Sequence, residues 1–361
     1  MLQSERAPAR DNNFDVLRLV AAAMVIFTHS FFIAEGNEAH EPLVWLSGRQ
    51  AQLGHVGVFI FFIISGFLVT ESYESTGEPL RFLAKRALRI FPGLFAALLV
   101  VAFVIGPIVT TLPLGDYLGR DQVYAYVVGN TLLNTTTHEL PGVLLVNNPV
   151  GLEVNGSLWT LRYEFMMYLM VMALGALRLL DLRVLLGLLA LGLACHHVEA
   201  LGVLDTFGWL LPFFAMGMVM AKLKDRRVFD DRIALAALLG LALTTTFGQF
   251  IALFPLFGGY LTLFLAFDRR LPVLRAARFG DLSYGIYIYG WPVTAMLMYA
   301  SDGTARWWQL FFLAMPLAAL VAFVSWHLIE APALRLKPGR AAALPGAPRL
   351  APALPRRSET A

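Results

Sequence analysis

Residues 14–32, FDVLRLVAAAMVIFTHSFF, form an apolar run that is long enough to cross a membrane, yet the run contains Arg18 and His29. About 20 predominantly apolar residues in an α-helix span the hydrocarbon core of a bilayer, which is roughly 30 Å thick. An ionisable side chain near the centre of such a helix costs at least about 2.5 kcal/mol on insertion scales. The run therefore predicts a transmembrane helix in which two ionisable groups are retained for a function.

The whole chain shares this apolar character. Of its 361 residues, 58% are hydrophobic and 15% are charged, whereas soluble domains are about 45–50% apolar and 25% charged. The composition predicts an all-α, polytopic transmembrane helix bundle, with the lipid bilayer as its surroundings.

Apolar runs of membrane-spanning length predict ten helices. They lie at residues 14–34, 52–70, 88–109, 157–177, 181–198, 205–222, 233–247, 249–267, 282–300 and 308–329. The seventh and eighth runs are divided by little more than Gly248. An even number of spans places both termini on the same side. Residues 1–335 are interpreted as one membrane domain, and residues 336–361, rich in Ala, Pro and Arg, as a disordered tail.

The distribution of Lys and Arg sets the orientation, because short cytoplasmic loops carry an excess of both. Most of the 28 Lys and Arg residues lie in the segments that share a side with the termini. The segments on the opposite side contain only Arg49, Arg120 and Arg306. Both termini are therefore predicted to be cytoplasmic. The net charge of +3 follows from this topology and argues against a nucleic-acid partner.

Arg18 and His29 are predicted to share one face of the first helix. Eleven residues at 100° each make three turns plus 20°, and they separate the two side chains by roughly 16 Å along the axis. Arg18 then lies in the inner part of the bilayer and His29 in the outer half. In the alternative interpretation, Arg18 snorkels to the cytoplasmic surface or pairs with Asp15, and His29 donates to a neighbouring carbonyl.

The fourth span begins with NGSLWTLRYEFMMYL at residues 155–169 and contains Arg162 and Glu164. Glu164 lies seven residues after Ser157, roughly 10 Å from the outer end of the span, at a depth similar to that of His29. A carboxylate that orients an imidazole makes it a good general base for a hydroxyl nucleophile. We therefore predict a catalytic pair of His29 and Glu164; the alternative is a structural ion pair of Glu164 with Arg162 or His29.

Two arginines mark the start of the third span. In FLAKRALRIFP, residues 82–92, Arg86 and Arg89 are three residues apart and lie on one helix face at the mouth of the span. Guanidinium groups bind phosphate oxygens bidentately. The pair predicts a phosphate site on the cytoplasmic side, although a basic cluster beside a membrane is also typical of a topology signal or a lipid-headgroup site.

Taken together, these elements resemble the acyltransferase-3 family of integral membrane acyltransferases over about residues 12–335. In chain order they are Arg18 and His29; GHVGVFIFFIISGFLVT at 54–70; Arg86, Arg89 and Pro92; Ser157, Trp159 and Glu164; LSYGIYIYGWPV at 282–293; and SWHLIEAP at 325–332. Many relatives carry a histidine where this chain has Gly290, before Trp291 and Pro292, so no role is assigned to that position.

The resemblance implies a sugar O-acetyltransferase of the bacterial inner membrane. Such an enzyme takes an acyl group, most often acetyl, from cytoplasmic acyl-CoA and transfers it to a hydroxyl of a cell-surface or exported carbohydrate, often a lipid-linked sugar. It implies that His29 is catalytic and that Arg18, Arg86 and Arg89 bind the donor. The predicted mechanism needs no metal.

Several further residues complete the prediction. Supporting roles are expected for Asp15, Ser65, Trp159 and Tyr287. Gly54, Gly57 and Gly66 are expected to allow close helix packing. His55 is interpreted as interfacial, with a position beside His29 as the alternative. Tyr284, Tyr287 and Tyr289 are interpreted as an aromatic belt at the inner membrane boundary.

Two other kinds of function remain open from the residues alone. A proton-coupled, glycan or anion transporter also uses intramembrane His, Glu and Arg, but it would be expected to show internal pseudo-symmetry and broken helices. A scaffold that binds lipid headgroups would leave His29 and Glu164 unexplained. Within the acyltransferase interpretation, direct attack on the thioester and an acyl-histidine intermediate are both open.

Overall fold

The structure is a computed structural model that describes residues 12–134, 139–143, 153–195, 203–224, 228–268, 270–271 and 279–338. Over these residues the secondary structure is helical, without a strand. The all-α prediction is therefore confirmed. Nearly all of the predicted tail, residues 336–361, lies outside the described residues.

Each of the ten predicted spans corresponds to one helix. The helices, numbered here in chain order, are α1 (Phe14–Glu35), α2 (Leu53–Thr76), α3 (Pro79–Val109, with a π-helical turn at Val101–Ile105), α4 (Trp159–Ala176), α5 (Leu182–Cys195), α6 (Val203–Leu223), α7 (Asp231–Thr244), α8 (Phe250–Phe267), α9 (Ser283–Ala300) and α10 (Trp307–Ser325). A π-helical turn, Trp326–Glu330, and the short helix Ala331–Arg335 continue α10. Shorter helices lie at Pro42–Leu46, Leu114–Leu118 and Asp121–Thr131.

Six of these helices, within the described residues, are long and apolar enough to cross a membrane by length and composition. They are α1, α2, α3, α6, α8 and α10 together with its continuation. The remaining four are shorter or less apolar. An all-α membrane bundle fits these helices, and the count of ten spans and the cytoplasmic location of the termini stay predictions.

The third helix begins earlier than predicted. Pro79 occupies its first turn and Glu78 is its N-cap, so Arg86 and Arg89 lie two turns or more inside α3 rather than at its mouth. A hydropathy window ends where charges begin, but a helix continues through charged residues when they face the interior of a bundle. Both arginines are at most partly exposed and face an internal cavity described below.

Helix α9 lies in the middle of the bundle. It packs against α1 and α10, and every residue from Ser283 to Pro292 is buried. The interpretation of Tyr284, Tyr287 and Tyr289 as a boundary belt is therefore wrong. Their rings are enclosed by protein because α9 carries its polar hydroxyls into the bundle, where they find hydrogen-bond partners such as the carbonyl oxygen of Ile90, 2.8 Å from the Tyr284 hydroxyl.

Glycine allows the closest approach between helices, as predicted. A Cβ atom on Gly66 of α2 would lie 2.0 Å from the carbonyl oxygen of Phe214 in α6, and one on Gly57 would lie 2.5 Å from the carbonyl oxygen of Ala21 in α1. Helix α2 is thus held between α1 and α6 at backbone contact distance.

Replacing Gly66 by alanine is expected to lower the thermal stability of the detergent-solubilised protein. The added methyl group meets backbone that cannot rotate away, and overpacking of this kind costs about 1–3 kcal/mol. The matched control is Gly187→Ala in α5, where a Cβ atom meets nothing within 4 Å. Equal unfolding temperatures for the two variants would contradict the close contact between α2 and α6.

Candidate active site

Two internal cavities lie next to each other in the bundle. We call the first the arginine cavity; its volume is about 110 Å³ and its lining includes Arg18, Arg86, Arg89 and Glu164. The second, the histidine cavity, has a volume of about 390 Å³ and is lined by residues that include His29, His55, Glu153, Trp159 and Trp291. The groups proposed for donor binding and the proposed catalytic histidine therefore face different spaces.

Asp281 joins two of the arginines. Its Oδ2 accepts from Arg18 Nη1 at 2.7 Å and from Arg89 Nη2 at 2.6 Å, and its Oδ1 accepts from Ser283 Oγ at 2.8 Å. Burial by itself raises the pKa of Asp281, but the two guanidiniums and these hydrogen bonds hold the pKa below its usual range. Asp281 is therefore ionised and neutralises part of the positive charge of the pair.

Arg89 has further partners. Its Nη1 lies 3.6 Å from Oε2 of the buried Glu330. Its guanidinium also lies over the rings of Tyr284 and Trp326, 5.5 and 5.7 Å from their centroids. Arg89 is thus held on several sides by α9 and by the end of α10.

Arg86 differs from the other two arginines. Its Nη2 donates to Ser72 Oγ at 3.3 Å, and its buried Nε has no hydrogen-bond partner in the described part of the chain. Among the described residues it forms no ion pair. Buried polar groups in folded proteins almost always have a hydrogen-bond partner, so a donor of this kind is suited to bind an anion. Arg86 therefore has hydrogen-bonding capacity left for an anion.

Glu164 also belongs to the arginine cavity. Its Oε1 accepts from Ser65 Oγ at 3.2 Å and from the hydroxyl of Tyr168. The predicted orientation of His29 by Glu164 is not observed. The two groups are predicted at similar depths, but depth does not fix the direction in which a side chain leaves its helix. Here α4 turns Glu164 toward the arginines.

His29 lies in the histidine cavity beside two tryptophans. Its ring meets that of Trp291 edge to face, with centroids 4.8 Å apart, and Trp159 lines the same space. The Nδ1 atom of His29 is buried and has no hydrogen-bond partner in the part of the chain that the structure describes. An imidazole that lines a cavity is suited to accept a proton from a bound hydroxyl.

The segment before α4 closes the histidine cavity. Asn155 Nδ2 donates to the carbonyl oxygen of Ile288 at 2.9 Å, and Trp291 Nε1 donates to the carbonyl oxygen of Glu153 at 3.2 Å. A Cβ atom on Gly156 would lie 2.6 Å from the ring of Trp291, so the absence of a side chain lets the segment pack on that ring. These contacts fix Glu153 and Trp159 relative to α9.

Comparison with known protein families matches residues 11–327 to the acyltransferase domain family. The chain belongs to the acyltransferase-3 family. It is 27% identical to a protein named O-acetyl transferase from Shigella phage Sf6, over 89% of this chain and 95% of the relative. It is 30% identical to Nodulation protein 10 of Rhizobium leguminosarum bv. viciae, over 92% of this chain and 96% of the relative. No solved structure matches the chain.

Three of the other predicted site residues of this acyltransferase line the cavities, and Asp15 does not. Ser65 lines the arginine cavity, and Trp159 lines the histidine cavity. Tyr287 lines both, and its hydroxyl lies 2.7 Å from Thr160 Oγ1. Asp15 is exposed at the start of α1.

Two further ionisable residues lie in the predicted spans, Arg162 in the fourth and His55 in the second. Arg162 is absent from the described lining of both cavities. His55, interpreted as interfacial, lines the histidine cavity beside His29, where its Nε2 lies 3.2 Å from Gln52 Nε2. The alternative position for His55 is therefore the observed one.

Sequence reasoning missed Asp281, Glu153 and a role for Trp291 in the acyltransferase site. Asp281 could have been noticed as an acidic residue that immediately precedes an apolar run on the side where basic residues dominate. Trp291 lies in the motif LSYGIYIYGWPV, which by itself does not indicate a cavity-lining role. No signal in the sequence places Glu153 in the same cavity as His29, because its position depends on a tertiary contact, the hydrogen bond from Trp291 Nε1 to its carbonyl oxygen.

Replacing Asp281 by alanine is expected to destabilise the acyltransferase by about 1–3 kcal/mol, because two partly buried guanidiniums lose a shared acceptor. Thermal unfolding in detergent measures the effect. The control is Asp231→Ala, which removes an ion pair with Arg270 whose side chains are 65% and 63% exposed. Exposed pairs contribute about 0–1 kcal/mol. A loss for Asp281→Ala no greater than for the control would contradict the bridging role.

Proposed function

We propose that this acyltransferase moves an acetyl group from cytoplasmic acyl-CoA to a hydroxyl of a cell-surface or exported carbohydrate, in the bacterial inner membrane. The observation that carries the proposal is the pair of adjacent cavities, one with guanidinium groups and the other with a partly buried histidine. The relative named O-acetyl transferase supports acetyl as the group transferred.

The arginine cavity would receive the phosphate end of the donor. Phosphate oxygens accept paired hydrogen bonds from guanidinium groups. Arg86, with its unpartnered Nε, would make the first such contact. Arg18 and Arg89 would add charge while keeping Asp281 between them. Glu164, held by Ser65 and Tyr168, would position the arginines by attraction rather than orient His29.

The histidine cavity would receive the acceptor. The rings of Trp159 and Trp291 supply flat apolar surfaces, and the amide and carboxylate groups of Gln52 and Glu153 supply hydrogen-bonding capacity. Apolar walls with a few convergent polar groups are typical of small-molecule sites. A sugar ring presents both apolar C–H faces and hydroxyl groups, so this lining suits a carbohydrate or lipid-linked sugar.

The chemical step that we propose is direct transfer. The imidazole of His29 takes the proton of the acceptor hydroxyl, and the oxygen attacks the thioester carbonyl carbon. A C–O bond forms, the C–S bond breaks, and the proton then passes from His29 to the CoA sulfur. General-base assistance of this kind typically contributes 10²–10⁴-fold to a rate. No metal is required in this step. In the alternative route, the acyl group first bonds to His29, and labelled protein would form with donor alone.

The proposal is tested by mass spectrometry of surface polysaccharides and lipids from cells that express the wild-type chain or His29→Ala. We expect an acetyl-sized increment on a carbohydrate with the wild-type chain and its loss with the variant. In parallel, membranes supplied with acetyl-CoA should release free CoA. A transporter would release none, so absence of both the increment and CoA release would overturn the proposed function.

A further inference from the structure

We infer that Val58 and Tyr287 form the passage by which the acyl group moves from the arginine cavity to His29, and that the side chain of Val58 limits the length of that acyl group. This inference rests on the function proposed above. It adds a determinant of donor specificity that lies outside the phosphate-binding and catalytic residues.

The two cavities meet at this pair. Within the described linings, Val58 and Tyr287 are the residues common to both cavities. Val58 belongs to α2 and Tyr287 to α9, so the wall has one side chain from each of two helices. A group that passes from one cavity to the other inside the bundle must therefore pass between them.

One face of α2 runs from the histidine cavity to the arginine cavity. His55, three residues before Val58, lines the histidine cavity, and Phe61 and Phe62, three and four residues after it, line the arginine cavity. Residues at these spacings lie on one side of a helix. Val58 is therefore the midpoint of a continuous helix face that runs from one cavity to the other.

The two halves of the wall differ in how firmly they are held. The Tyr287 hydroxyl is hydrogen-bonded to Thr160, its ring packs edge to face on Phe61 at 5.7 Å, and only 6% of the residue is exposed. Val58 is 5% exposed and has an apolar side chain that makes no hydrogen bond. The size of the opening should therefore vary with the residue at 58, while Tyr287 forms its fixed side.

The chemistry places the acyl chain at this opening. If the phosphates of CoA stay with the arginines, the thioester carbonyl has to come within reach of a hydroxyl held beside His29. The carbonyl and the carbons attached to it then occupy the space between Val58 and Tyr287. Each additional methylene requires room that a closely packed wall does not provide, and overpacking costs about 1–3 kcal/mol.

The test is a competition between donors. Membranes that contain the acceptor and the wild-type or variant chain receive equimolar acetyl-CoA and butyryl-CoA, and mass spectrometry measures the ratio of the two increments on the product. For Val58→Ala we expect the butyryl-to-acetyl ratio to rise by about 10-fold or more, since a pocket discriminates one methylene by about 10–200-fold.

Two matched controls use the same substitution. Val25 lines the histidine cavity alone, and Val69 lines the arginine cavity alone; both are as buried as Val58. Val25→Ala and Val69→Ala enlarge a cavity without thinning the shared wall, so we expect both to keep the wild-type ratio. Val58→Ile narrows the opening. In a competition that uses propionyl-CoA in place of butyryl-CoA, this variant should lower the ratio of propionyl to acetyl transfer. This second variant keeps the test available if Val58→Ala folds poorly.

The outcomes separate the inference from the proposed function. An unchanged ratio in folded Val58→Ala, or an equal shift in both control variants, would overturn the passage while acetyl transfer by the wild-type chain stands. If the wild-type chain adds neither acyl group and releases no CoA, the proposed function falls, and the inference falls with it.

Discussion

Alanine in place of His29 is expected to reduce acyl transfer by about 10²–10⁴-fold, the contribution usual for a positioned general base. The reason is its location: the imidazole lies in the histidine cavity beside Trp291, with a buried Nδ1 that has no partner among the described residues. His29→Gln should lose activity to a similar extent, because an amide keeps the shape but does not take up a proton at neutral pH.

The measurement is the rate of acetyl transfer in membranes, normalised to the amount of folded protein. His40→Ala is the matched control, because His40 is exposed, pairs with Glu35 and lies outside both cavities. We expect this control to transfer acetyl at the wild-type rate. Full activity in well-folded His29→Ala or His29→Gln would contradict both direct transfer through His29 and an acyl-histidine route.

The second large effect is expected at Arg86. Its guanidinium has a buried unpartnered Nε and no ion pair among the described residues, so its capacity for a phosphate is intact. Hydrogen bonds to charged groups contribute about 1.5–3 kcal/mol, and Arg86→Ala should lower kcat/KM for acetyl-CoA by about 10–100-fold, mainly through KM. Arg86→Lys keeps the charge but loses the planar guanidinium that binds phosphate bidentately, so an intermediate loss of kcat/KM is expected.

A truncated donor distinguishes phosphate binding from a general defect. Acetyl-pantetheine carries the thioester but lacks the phosphates of CoA, so Arg86→Ala and the wild-type chain should use it equally well. Arg81→Ala, one and a half turns earlier in α3 and bonded to the carbonyl oxygen of Pro338, is the matched control for acetyl-CoA. If Arg86→Ala lost the same activity with both donors, Arg86 would not bind the phosphates.

The contrast among the three arginines changes how each substitution should be interpreted. Arg18 and Arg89 share Asp281, and Arg89 also contacts Glu330. Removing either one leaves a carboxylate without part of its neutralising charge, so lost activity would combine lost binding with lost stability. Among the described residues, Arg86 has no carboxylate partner of this kind. It therefore offers the clearest measurement of donor binding.

Other parts of the site were predictable to different extents. The three arginines and Ser65 line one cavity together with Glu164. His29 and Trp159 line the other. The partnership of His29 with Glu164 did not appear, and Asp281 was not foreseen. The helix positions of these residues follow from local spacing, whereas their partners depend on how α3, α4 and α9 are rotated and packed.

By itself, the sequence determined where the membrane helices lie, because a segment in hydrocarbon must satisfy its own backbone hydrogen bonds and must stay apolar over about 20 residues. It also determined that Arg18 and His29 belong to one helix face, because helical rotation per residue is constant. Only the tertiary structure decided that Glu164 and His29 face different cavities and that Val58 and Tyr287 separate them. The helices that carry these residues are apolar on nearly every side, so their composition does not specify which side meets a neighbour, and close packing of the assembled bundle settles that rotation.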